Sequence, residues 1–83
     1  MRATVLYMQT TTDTARGIAR AVAAALREAG VGNKDAAAQS GIPLSTLERR
    51  LSGRGKAFDV VELELLANLV GRDVSDFIVK AAA

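Results

Sequence analysis

The sequence predicts an all-α fold from three observations: apolar residues recur at spacings of three and four, glycines separate the segments that do so, and no segment alternates apolar with polar residues between hairpin turns. The many alanines add helix propensity and let neighbouring helices approach closely. Five helices with short joints are expected over residues 13–80, preceded by an irregular N-terminal arm over residues 1–12.

In the first helix, residues 15–29, one stripe holds Ala15, Ile18, Ala19, Val22, Ala25, Leu26 and Ala29, while Arg16, Arg20 and Arg27 point elsewhere. Thr12 or Asp13 can cap its start, and Gly30 offers the left-handed residue that commonly follows a helix. Gly17 within it costs about 1 kcal/mol relative to Ala. The second helix starts at Asn33, an N-cap type of residue, carries Asp35 where a negative charge suits the helix dipole, and stops at Gly41. Ile42-Pro43 bends the chain, and a third helix over residues 44–52 spaces Leu44, Leu47 and Leu51 helically before Ser52-Gly53 ends it. Asp59 can cap a fourth helix, in which Leu63, Leu66, Ala67 and Val70 share a face before Gly71. Asp73 or Ser75 opens a fifth, with Val74, Phe77 and Ile78 inward. Ile42, Leu47, Leu51, Leu63, Leu66 and Phe77 form the expected core.

Eighty-three residues with 49% hydrophobic content close one modest core, so a single soluble globular domain is expected. No apolar run approaches the ~18 residues of a membrane span. Val5-Leu6-Tyr7 is too short for the apolar part of a signal peptide, which places the expected location in the cytoplasm. The chain has no Cys and no His, so thiol nucleophiles, disulfides, structural zinc and imidazole acid/base chemistry are excluded. Its carboxylates lie on predicted helix surfaces without a glycine-rich phosphate loop. A non-enzyme without catalytic, metal or cofactor site is expected.

The net charge of +2 conceals a gradient: residues 1–29 carry +2, residues 30–58 carry +3, and residues 59–83 carry −3. Between Arg49 and Lys56 four of the eleven basic residues fall within eight positions with no acid among them. That density suits a polyanion, although a solvated loop has the same composition.

Residues 33–53, NKDAAAQSGIPLSTLERRLSG, have the layout of a helix-turn-helix: a short helix, a Gly turn, and a second helix with an apolar inner face and a polar outer one. Together with FDVVELELLANLVGRDVSDFI, this segment resembles the Cro/C1-type (XRE) family of DNA-binding regulators. That family shows small alanines in the second helix, a G-[IV]-x turn, an [ST]-T-[LI] start to the recognition helix and a later E-L-x-x-[LI]-A-x-x-[LV]-G helix. The similarity spans residues 14–79. It implies a five-helix, lambda-repressor-like domain whose third helix reads double-stranded DNA in the major groove.

On that resemblance Leu44, Ser45, Thr46, Glu48 and Arg49 are the candidate base-reading residues. Arg49 can donate two bonds to guanine, Glu48 can accept from cytosine, and Leu44 can touch a thymine methyl. Asn33, Lys34, Arg50, Ser52, Arg54 and Lys56 are the candidates for the DNA backbone. Ser45 and Glu48 also fit a capping box, and under that reading the helix begins later. Arg16, Arg20 and Arg27 are read as a solvated face, although one near the helix start could reach a phosphate. The sequence departs from the family pattern at Pro43, where a capping Ser or Thr is common, and at Ala36, where a larger aliphatic is common and a thinner core is expected.

The function implied is a sequence-specific transcriptional regulator, a small phage or bacterial repressor that occludes a promoter. A homodimer could form through Val5-Leu6-Tyr7 or Ile78-Val79, or those residues could complete the core. The competing reading is an antitoxin-like interaction protein whose acid-rich residues 59–76 bind a basic protein partner.

Overall fold

The computed structural model describes the backbone of residues 2–82 and the side chains of residues 13–79. Five helices follow in order: α1 (Arg2–Glu28), α2 (Asn33–Ser40), α3 (Leu44–Leu51), α4 (Val60–Val70) and α5 (Val74–Ala82), with no strand among the described residues.

The irregular arm expected over residues 1–12 is corrected, because α1 continues back to Arg2. Nothing from Arg2 to Arg16 is Gly or Pro. Once the downstream turns exist, each added residue closes one more hydrogen bond without a new nucleus. Thr12 and Asp13 therefore lie inside the helix and not at its start. A 27-residue helix is about 40 Å long, which accounts for the 44 Å long axis of a molecule 23 and 19 Å across. The roles expected of Val5-Leu6-Tyr7 lie outside the described side chains.

The downstream half of α1 supplies one wall of the core, with Ala19, Ala21, Val22, Ala25 and Leu26 buried. Helix α5 packs along α1, while α2 rests on α3 and α4, and α1 also meets α3 and α4. Leu47, Leu66 and Phe77 fill the centre, with Ile42 and Leu63 around them. Leu51, Val70 and Val74 are partly buried against this cluster. Ala36 is fully covered despite its size, so α2 closes over a small residue.

Two expected inward residues are outside. Ala29 follows the end of α1 and is exposed, and Ile78 is 49% exposed. Helix α5 lies chiefly on a single neighbour, α1, so a narrow stripe through Val74 and Phe77 is enough to seat it. Its start is tied down by Arg72, whose Nη2 donates to Oε1 of Glu28 at 2.6 Å.

The joint between α2 and α3 is compact and mostly satisfied from within. Gly41 takes the left-handed conformation at φ 81°, and its N–H donates to the Ala37 carbonyl at 3.0 Å. A left-handed backbone position strains any residue with a Cβ. The buried Ser40 hydroxyl donates to the same carbonyl at 3.4 Å and accepts from the Ile42 N–H at 3.2 Å. That second bond is the important one, because Ile42 is itself buried and water cannot replace the partner. Ser40→Ala is expected to lower unfolding stability by about 1–3 kcal/mol in chemical denaturation, the range for stranding a buried donor, with the helical circular dichroism spectrum of the native state retained.

Candidate nucleic-acid interface

Helix α3 begins at Leu44 with Pro43 as its N-cap, and the first helical bond runs from the Leu47 N–H to the Pro43 carbonyl at 2.9 Å. Pro43 thus stands one place before the first helical position, and no side chain caps this end. The capping box read for Ser45 and Glu48 is absent, since both already lie within the helix. At about 100° per residue, Leu47 and Leu51 turn toward the core, which leaves Leu44, Ser45, Glu48 and Arg49 on an adjoining outward arc. All four are exposed, while Thr46 sits half-buried at the edge. Among the described residues neither Glu48 nor Arg49 forms an ion pair.

At the start of α2 the N-cap is Gly32, with extended backbone and no side-chain bond. Asn33 is therefore the first helical residue and not the cap. The first helical bond runs from the Ala36 N–H to the Gly32 carbonyl, so the N–H groups of Asn33, Lys34 and Asp35 lack helical acceptors. Asn33 and Lys34 are both exposed. Such an end suits an anion, while the exposed Asp35 carboxylate works against it.

Beyond α3 the expected backbone residues separate. Arg54 and Lys56 are exposed on the loop to α4. Ser52 is exposed too, but its hydroxyl donates to the Arg49 carbonyl at 2.6 Å and accepts from the Arg54 N–H at 3.2 Å. Its single proton is engaged within the turn. Arg50 is turned inward: its Nε donates to Oε1 of Glu62 at 3.3 Å, and the two side chains are only 11% and 15% exposed. The amphipathic rotation that exposes Arg49 carries Arg50 toward α4, which removes it from the outward cation set.

Glu62 is a contributor that the sequence reading passed over. It completes a capping box with Asp59, whose Oδ1 accepts from the Glu62 N–H at 2.7 Å while Glu62 Oε1 accepts from the Asp59 N–H at 3.0 Å. The same Oε1 holds Arg50, so one oxygen joins the start of α4 to the end of α3. The signal for it was present as an acid three places after Asp59. A second neighbour of this region is Arg16 on α1. A Cβ on Gly53 would stand 3.3 Å from its Cγ.

Glu62→Ala is expected to destabilise by about 1–3 kcal/mol in thermal or urea unfolding, because it removes a cap bond and leaves a largely buried arginine unpaired. Glu62→Gln keeps an acceptor oxygen and is expected to lose less than half as much.

The pattern that defines the antitoxin Xre-like helix-turn-helix domain matches residues 11–71. No curated protein and no solved structure matches the chain.

Proposed function

The chain belongs to the family of antitoxin Xre-like helix-turn-helix domains, and from that premise we propose that it is a sequence-specific transcriptional regulator that reads the major groove of double-stranded DNA with α3. The observation that carries this reading is the outward arc of Leu44, Ser45, Glu48 and Arg49, exposed and without ion-pair partners among the described residues. A helix buried on one side and polar on the other has the dimensions of the groove and the donors and acceptors to read base edges. Arg54 and Lys56 beside it supply phosphate attraction with little sequence information. In this role the protein represses by occluding a promoter in a bacterial or phage operon, with a homodimer spanning two half-sites. No helix among the described residues is long and apolar enough to cross a membrane, which suits work in the cytoplasm.

A second reading is supported by a separate surface. Val60, Val61 and Leu65 on α4 and Ile78 and Val79 on α5 are large apolar residues with 40–70% exposure, within the segment of net charge −3. An antitoxin-like protein would place a basic partner there. Isolating the complex formed with the product of an adjacent small gene, with and without DNA, separates the readings.

The first experiment is binding to the chain's own upstream DNA and to random DNA at two salt concentrations. A preference that persists at the higher salt supports a sequence-reading regulator, whereas equal loss from both fragments leaves only a basic surface. Arg54→Ala is expected to weaken binding to both fragments and to reduce the salt slope by about one unit. Arg49→Ala is expected to cost about 1–3 kcal/mol, chiefly at one base position. If Arg49→Ala weakened both fragments equally, its assignment to base reading would be wrong.

A further inference from the structure

We propose that Arg16, on α1 and outside the helix-turn-helix, is a phosphate-binding residue that extends the basic surface of the α3–α4 loop. The proposal rests on the DNA-binding reading above. Its basis is the close approach of two elements distant in sequence. Gly53, in the left-handed conformation at φ 74°, sits so near α1 that an added Cβ would lie 3.3 Å from Arg16 Cγ and 3.7 Å from Arg16 Cα. The loop therefore lies against α1 at this residue, and the Arg16 side chain leaves its helix alongside the glycine that immediately precedes Arg54.

Arg16, Arg54 and Lys56 are all exposed, and among the described residues neither Arg16 nor Arg54 has a carboxylate within ion-pair distance. The contact at Gly53 joins the helix that carries one unpaired cation, Arg16, to the loop that carries another, Arg54. A polyanion that neutralises them together gains counterion release from each. Arg20 and Arg27 are exposed on the same helix, but no contact places either beside the loop. Arg72 differs again, because it is paired with Glu28.

The test measures the salt dependence of binding to the upstream fragment and to random DNA for the wild-type chain, Arg16→Gln, Arg16→Lys and Arg72→Gln. Glutamine retains much of the aliphatic stem beside Gly53, and melting curves show whether each variant is folded. Arg16→Gln is expected to weaken both fragments by a similar factor and to lower the salt slope by about one unit. Arg16→Lys is expected to restore the slope. Arg72→Gln, which removes the same charge elsewhere, is expected to leave it near the wild-type value. A full slope in Arg16→Gln, or an equal fall in Arg72→Gln, overturns the assignment of Arg16 alone. If the wild-type chain binds neither fragment, the DNA-binding reading falls and takes this proposal with it.

Discussion

Leu47 is fully enclosed in the core that α3 shares with its neighbours, and a helix pinned at one position has little rotational freedom left. Enclosing a leucine is worth roughly 1.5–3 kcal/mol, more than any single exposed side chain of α3 gains by a different rotation. The outward arc is consequently not chosen by the polar residues that occupy it. Leu44, Ser45, Glu48 and Arg49 face solvent because Leu47 does not. The same constraint settles the division between two adjacent arginines, with Arg49 in water and Arg50 against Glu62.

The Arg50–Glu62 contact gives α3 a second fixed point at its other end. A largely buried pair of this kind adds little net stability beyond the desolvation that it must offset. Its worth is geometric, since the angle between α3 and α4 is tied to a carboxylate already held by the Asp59 cap. At the opposite end, Ser40 and Gly41 set the turn from α2 through bonds that need no distant residue. Helix α3 is thus seated by one apolar anchor and two polar joints.

Much of this was legible in the sequence because it is local. The bounds of α2 and α4, the turn at Gly41 and the buried positions Leu47, Leu66 and Phe77 follow from periodicity and glycine placement within single segments. The start of α1 was not legible, because Thr12 and Asp13 are residue types that cap a helix start, while nothing before them is strong enough to break a helix. The contacts of Arg50, Ser52 and Ile78 were not legible for another reason. Their roles depend on what stands opposite them, and Glu62, the Arg49 carbonyl and the narrow seat on α1 are matters of tertiary structure. Arg16 shares that cause, since 37 positions separate it from Gly53.

The clasp between Glu28 and Arg72 joins residues 44 positions apart, whereas the contacts of α2 with α3 span a few turns of chain. Closing a long loop is entropically slower than closing a short one. The central unit can therefore organise before α5 has been synthesised, whereas Phe77 reaches the core only once α5 has emerged. Until then the part of α1 that α5 covers stays bare, and a nascent chain that stalls before Val74 is a substrate for chaperones and proteases.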